Sequence, residues 1–161
     1  MAKVRIMRSN LNFVLALLVV ILIVTVALAS RGCGGPRIPA FIDPLLTLDE
    51  ALAQSSQSGK PVFALVGADW CDPCTSFKHG TLTNSKVVAF IKANTEPVYV
   101  DATRSARHDS ETLAVMSRLG VSEIPTVVLL RKGQNIGSVI GDVPATEFLP
   151  WLEEMLKPPP R

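Results

Sequence analysis

The stretch Trp70-Cys71-Asp72-Pro73-Cys74 places two thiols two residues apart in a chain of 161 residues. An apolar run at 61–67 precedes it and predicts a buried strand, and the residues after it are able to continue as a helix. The first turn of a helix has unpaired N–H groups and the positive end of the helix dipole, which favour an anion. A thiolate there has a lowered pKa, and the thiolate is the form that attacks disulfides. Pro73 suits this turn because its missing N–H would have had no partner.

The pair therefore predicts reversible thiol–disulfide chemistry, since the second cysteine is close enough to close a disulfide with the first. The alternatives are a structural disulfide, two inert core cysteines, or half of a zinc site. Zinc needs two further ligands at fitting spacings. The remaining candidates, Cys33, His79 and His108, are scattered along the chain, and we interpret both histidines as surface residues.

The first 29 residues predict a membrane segment. A basic head at 1–10 contains no acidic residue, and residues 11–29 are almost entirely apolar. As a helix these nineteen residues span about 28 Å at ~1.5 Å per residue, close to the roughly 30 Å of a bilayer core. We predict an anchor at 11–29 with a cytoplasmic N-terminus, because basic residues stay on that side. The alternative is a signal sequence cleaved after Ala29 and a secreted domain.

A linker at 30–44 is predicted to join the anchor to a globular domain at 45–157, followed by a short tail at 158–161. Cys33 lies in the linker, where a free thiol, an intermolecular disulfide, a lipidated thiol or no role at all remain open. The net charge is +2. Three basic residues of the head account for more than this excess, so the charge excludes a binder of nucleic-acid phosphates.

The globular part alternates helical and strand patterns. Thr47 and Glu50 form a predicted capping box for a helix ending at Ser58. Ser110 is predicted to cap a later helix that Gly120 ends. Pro150 is predicted either to kink the last helix or to mark its true start. The predicted strands lie at 62–66, 97–101, 126–130 and 135–140. The fold class is therefore α/β: a four-stranded mixed sheet with helices on both faces, preceded by one transmembrane helix.

These residues resemble the thioredoxin superfamily over about 46–156. The resemblance lies in Ala68-Asp69-Trp70-Cys71-Asp72-Pro73-Cys74, in Val121-Ser122-Glu123-Ile124-Pro125-Thr126 and in Gly141 after the hairpin. Within the superfamily the chain is most similar to exported or membrane-anchored thioredoxin-like proteins and to the C-terminal domain of the disulfide reductase DsbD.

The resemblance implies roles for individual residues. Cys71, the more exposed thiol, would attack a substrate disulfide, and Cys74 would resolve the mixed disulfide. Trp70 would wall one side of the site, a cis Pro125 would stand beside the cysteines, and the backbone of Ile124 would pair with a substrate strand. It implies no cofactor beyond the redox-active disulfide and no metal.

Three positions depart from the family pattern. Leu65 stands where thioredoxins commonly have a buried acid, and Lys78 stands where the related reductase domain has an acid. The carboxylate of Asp72 opposes the helix-end effect on the neighbouring thiol, because a nearby negative charge disfavours the thiolate. This disfavours a strongly oxidising pair.

The sequence thus predicts a membrane-tethered extracytoplasmic (periplasmic) thiol–disulfide oxidoreductase, acting as a reductant on protein substrates. Its electrons would come from or go to another membrane protein. One alternative is a copper metallochaperone on the same fold, which a copper titration would detect. The other is a non-catalytic peptide-binding module, which would still bind its partner after Cys71→Ser.

Overall fold

The computed structural model describes residues 17–21, 38–107 and 109–157. Residues 17–21 are helical and expose their apolar side chains. Among the described residues, no helix is both long and apolar enough to cross a bilayer. The predicted head, the rest of the anchor, Cys33, His108 and the tail lie outside the part of the chain that the structure describes.

The described residues from 38 onward contain a sheet and its covering helices. The elements in chain order are α1 (Leu48–Ser58), β1 (Val62–Gly67), α2 (Asp72–His79), a 3-10 turn (Thr81–Thr83), α3 (Ser85–Asn94), β2 (Glu96–Asp101), a second 3-10 turn (Thr103–Arg107), α4 (Ser110–Leu119), β3 (Thr126–Arg131), β4 (Gln134–Ile140) and α5 (Ala145–Met155).

The four strands form one mixed sheet in the order β2-β1-β3-β4. β1 runs parallel to β2 and antiparallel to β3, and β3 pairs antiparallel with β4. The β3–β4 hairpin turns at Lys132 and Gly133, whose φ angles of 53° and 76° are the positive values that a two-residue hairpin turn requires. The predicted mixed sheet, with its single tight hairpin, is confirmed.

Alternate residues of β1 face two separate apolar layers. Val62, Ala64 and Val66 pack with α1 and α4 on one face of the sheet. Phe63 and Leu65 pack with α2, α3 and α5 on the other face. Both faces of the sheet are therefore covered by helices, which confirms the predicted α/β arrangement of a mixed sheet between helix layers. It also explains why β1 is apolar at successive positions.

The ends of several elements follow from side-chain caps. The Thr47–Glu50 capping box forms as predicted. The prediction that Ser110 caps α4 is wrong by one residue: Asp109 is the cap, because its carboxylate accepts the backbone N–H of Thr112 at 3.0 Å. The pKa of Asp109 lies below its usual value for the same reason, the hydrogen bonds from Thr112.

Two further differences concern the ends of the folded unit. Residue 150 is a proline inside α5, which already begins at Ala145, so Pro150 does not mark the start of that helix. Ile42, which the sequence assigned to the linker, is buried among the residues packed beneath α2 and α5. The folded unit consequently includes residues that precede the predicted domain start at 45.

Candidate active site

The N-terminus of α2 positions the two cysteines. Cys71 is the N-cap residue, and Cys74 lies in the first turn, with Pro73 between them. The two sulfurs form a disulfide, and the Cα atoms are 5.2 Å apart. Cys71 Sγ also accepts the backbone N–H of Cys74 at 3.2 Å. A helix N–H group is therefore already directed at the sulfur that the family resemblance implies to be the nucleophile.

The cysteines are packed between the β1–α2 loop and the segment before β3. Cys71 is 5% exposed and Cys74 is 1% exposed, so the predicted difference between them exists but is small in this disulfide form. Ala68 forms one buried cluster with the two cysteines, and Ile124 packs against that cluster. The Ile124–Pro125 peptide bond is cis, as the resemblance implied. The proline segment is thus brought to the cysteines, although 50 residues of chain separate them along the sequence.

Trp70 is held in an exposed position beside the cysteines. Its side chain is 53% exposed, and the indole Nε1–H donates to the carbonyl of Thr103 at 2.9 Å. The hydroxyl of Thr103 accepts the backbone N–H of Asp69 at 3.1 Å, and the backbone N–H of Thr103 donates to Asp101 at 2.8 Å. The loop before Cys71 is therefore tied to the end of β2 through Thr103.

Two ionisable side chains, Lys78 of α2 and Tyr99 of β2, lie next to each other in the same domain. Lys78 is 7% exposed, and its ammonium lies 5.7 Å from the centre of the Tyr99 ring. Burial lowers the pKa of Lys78, and the carboxylates of Asp69 and Asp101 partly oppose that shift. Burial, followed by the same two carboxylates, raises the pKa of Tyr99 above its usual value. The phenol is consequently protonated throughout the physiological pH range.

The sequence model of the Thioredoxin-like domain family matches residues 48–156, which contain all of these site residues. The chain belongs to this family. Thioredoxin 1 of Synechococcus elongatus is 28% identical over 101 residues, which are 62% of this chain and 84% of that protein. The thiol:disulfide interchange protein DsbD of Cronobacter sakazakii is 33% identical over 113 residues, 68% of this chain. The matched part is 19% of that protein, so the chain spans about a fifth of DsbD.

Solved structures agree with this assignment. The C-terminal domain of Neisseria meningitidis DsbD in its oxidised form has a TM-score of 0.58 at 25% identity, covering 66% of this chain and 91% of that domain. A thioredoxin from Thermus thermophilus shares the fold, with a TM-score of 0.57 at 24% identity over 66% of this chain and 82% of its own. The protein is thus a thioredoxin-fold, oxidoreductase-like chain whose Cys-x-x-Cys pair is closed as a disulfide.

The thioredoxin-like domain brings together Cys71, Cys74 and Ile124, and it leaves Asp72 exposed at the first turn of α2. His79 is also exposed. Among the described residues, no cluster of three or more histidine, cysteine or acidic side chains is arranged to hold a metal ion.

Sequence reasoning missed two residues near the cysteine pair: Tyr99 on β2 and Thr103 in the turn that follows β2. Tyr99 and Thr103 approach the active-site loop only through the pairing of β1 with β2, in which Leu65 lies opposite Tyr99 and Gly67 opposite Asp101. The predicted parallel pairing was a signal that could have placed the end of β2 beside the cysteines. The exact register could not be obtained from the sequence pattern.

Replacing Thr103 with valine is expected to loosen the Trp70 loop of the thioredoxin-like domain. The substitution removes the acceptor for the Asp69 N–H, and a lost hydrogen bond costs roughly 0.5–1.5 kcal/mol. The measurement is iodide quenching of fluorescence in a Trp151→Phe background, where Trp70 is the remaining one of the chain's two tryptophans. Quenching should increase for Thr103→Val and stay unchanged for Thr103→Ser, which keeps the hydroxyl. Equal quenching in both variants would contradict the role of this hydroxyl.

Proposed function

We propose that this protein is a membrane-tethered, extracytoplasmic thiol–disulfide oxidoreductase that reduces disulfides in protein substrates. The observation that carries the proposal is the Cys71–Cys74 disulfide at the N-terminus of α2, packed against the segment that contains the cis Ile124–Pro125 bond. This arrangement joins a reversible bond, a helix end that favours a sulfur anion and a neighbouring backbone segment able to hold a peptide.

In the proposed cycle the reduced pair begins with Cys71 as a thiolate. The Cys74 N–H that meets Cys71 Sγ in the disulfide form stabilises this anion, together with the positive end of α2. Cys71 attacks one sulfur of a substrate disulfide and forms a mixed disulfide, and the other substrate sulfur leaves as a thiolate that takes a proton from solvent. Cys74 then attacks Cys71 Sγ, which releases the second substrate thiol and closes the intramolecular disulfide.

The neighbouring residues have supporting roles in this proposal. Trp70 forms an exposed wall beside the pair, and Pro73 fixes the first turn of α2 between the two cysteines. The backbone of Ile124 would pair with an extended substrate segment, while Pro125 keeps that backbone against the sulfurs. Asp72 places an exposed carboxylate beside the nucleophile and makes the thiolate less favoured than a neutral residue would.

The proposed direction is reduction, and the proposed location is outside the cytoplasm. The relationship to the DsbD C-terminal domain and the carboxylate of Asp72 both favour a reductant over a strong oxidant.

Residues 11–29 would anchor the chain in the membrane, with the N-terminus in the cytoplasm and the domain in the periplasm; cleavage after Ala29 would instead secrete it. Electrons would come from a membrane protein.

The reduction potential of the pair tests the proposal. The full-length chain in detergent, with Cys33 replaced by serine, is equilibrated with mixtures of reduced and oxidised dithiothreitol. Free thiols are then alkylated, and mass spectrometry gives the ratio of reduced to oxidised chain in each mixture. We expect a potential near that of thioredoxin, about −270 mV, whereas a value near about −120 mV would indicate an oxidant and contradict the direction. A pair that never exchanges with dithiothreitol would contradict the proposed activity itself.

A further inference from the structure

The hydroxyl of Tyr99 is a buried polar group left unsatisfied by the residues that the structure describes. Tyr99 lies on β2, and its Oη is shielded from water and makes no hydrogen bond among these residues. Buried hydroxyl groups are almost always hydrogen-bonded, because desolvation without a partner is unfavourable. An orphaned phenol beside a redox pair therefore calls for a partner that appears in another state of the pair.

Gly67 shows how close that phenol is to the second cysteine. A methyl group placed on Gly67 would lie 3.2 Å from Tyr99 Oη and 3.6 Å from Cys74 Sγ. The phenol oxygen and the sulfur thus border the same space, which a side chain at the last position of β1 would fill. Gly67 leaves this space open.

Burial and the nearby carboxylates keep the Tyr99 phenol protonated, so that it is able to donate a hydrogen bond. Asp69 and Asp101 are the carboxylates that act on Tyr99, and the ammonium of Lys78 lies over its ring. Burial and these carboxylates raise the pKa of Tyr99, so the phenol retains its proton wherever a thiol titrates. In the disulfide form the neighbouring sulfur is only a weak acceptor, whereas a thiolate is a strong one.

The resolving step creates that acceptor in a buried place. Cys74 is 1% exposed in the disulfide form, so its sulfur has almost no contact with water there. The residue of β1 paired with Tyr99 is Leu65, which is apolar and buried and offers the sulfur no polar group. Among the described residues near Cys74, the Tyr99 hydroxyl is the buried donor with no other partner.

We propose that the Tyr99 hydroxyl donates a hydrogen bond to Cys74 Sγ when the disulfide is open and stabilises the thiolate that resolves the mixed disulfide. This inference rests on the proposed function. In the step it assists, the Cys74 thiolate attacks Cys71 Sγ, the bond between Cys71 and the substrate sulfur breaks, and that sulfur takes the electron pair. The proton lost by Cys74 passes through solvent to the released substrate thiolate, which becomes a thiol, and Tyr99 keeps its own proton.

The pKa of the Cys74 thiol measures this hydrogen bond without requiring any exchange activity. In the full-length Cys33→Ser/Cys71→Ser chain, Cys74 is the remaining cysteine, and its labelled 13Cβ shift is followed against pH by NMR. Tyr99→Phe keeps the ring and removes the donor, so we expect it to raise this pKa by about one unit. Ser55→Ala, which removes a buried hydroxyl from α1, is the matched control and should leave the pKa unchanged.

A second measurement follows the resolving step itself. In the Cys33→Ser chain, a mixed disulfide between Cys71 and glutathione is formed and its resolution is timed across the pH range. Tyr99→Phe should shift the midpoint of this profile upward by the same amount. At pH 7 it should slow resolution by about threefold, because a tenfold smaller thiolate fraction is partly offset by a more nucleophilic sulfur.

The NMR titration of Cys74 and the timing of mixed-disulfide resolution together distinguish failure of this inference from failure of the proposed function. An unchanged Cys74 pKa in Tyr99→Phe overturns the hydrogen bond, even if the variant still exchanges disulfides. If the Cys33→Ser chain with Tyr99 intact never resolves its mixed disulfide, the proposed function is overturned, and the NMR titration then still decides the role of Tyr99.

Discussion

Cys71→Ser is expected to abolish disulfide exchange, while Cys74→Ser is expected to stop it at the mixed disulfide. Cys71 supplies the attacking sulfur in the proposed cycle, and a serine hydroxyl is not ionised at neutral pH. Without Cys74, the first attack still occurs, but the intramolecular release step is lost. The measurement is intact-mass analysis of each variant, in a Cys33→Ser background, after mixing with a peptide that contains one disulfide.

The expected masses differ between the variants. Cys74→Ser should carry the mass of half the peptide, and Cys71→Ser should remain unmodified over the same time. The Cys33→Ser parent is the matched control and should turn over the peptide when supplied with dithiothreitol. If Cys71→Ser forms the adduct as readily as Cys74→Ser, then Cys71 is not the nucleophile and the assignment of the two roles is contradicted.

Phe148→Ala is expected to cause the largest loss of stability, roughly 3–5 kcal/mol, because it empties the centre of the apolar layer beneath α2. Phe148 is fully buried on α5. Its ring meets Phe77 of α2 edge-on at 5.2 Å between centroids and Phe63 of β1 at 6.4 Å, and it stacks on Trp151 at 5.6 Å. The Phe148 side chain of α5 thus contacts both α2, the helix that carries the cysteines, and strand β1 of the sheet.

Urea unfolding of the oxidised chain checks this expectation. Glu147→Ala is the matched control, since it is the preceding residue of α5 and is exposed, and it should change the free energy of unfolding by less than about 0.5 kcal/mol. The loss is large relative to the roughly 5–15 kcal/mol by which domains are stable. A loss below about 1 kcal/mol for Phe148→Ala would contradict the packing described for this layer.

Local signals account for the parts of the fold that the sequence predicted well. The capping box at Thr47 and Glu50 is complete within four residues, and the apolar runs of β1 and β3 are long enough to indicate strands covered on both faces. The cysteine pair is likewise a local motif, so its position at the start of α2 followed from the order of strand, motif and helix.

Contacts between distant parts of the chain were not predictable in the same way. Thr103 meets Asp69 across 34 positions of sequence. Tyr99 approaches Cys74 because β2 pairs with β1 in one particular register. Nothing in the pattern around Lys78 indicates that its side chain is buried over an aromatic ring, since a lysine late in a short helix usually faces solvent. These contacts depend on tertiary packing, which a one-dimensional pattern does not encode.

The alkylation rate of the reduced chain tests most directly whether the start of α2 makes a reactive thiolate. The full-length Cys33→Ser chain is reduced, freed of reductant and treated with iodoacetamide at pH 7, and each cysteine is followed by peptide mass. Cys71 is predicted to react about threefold or more faster than free cysteine, and Cys74 more slowly because it is buried. If Cys71 reacts no faster than free cysteine, and the pair fails to reclose its disulfide on oxidation, the proposed activity is contradicted.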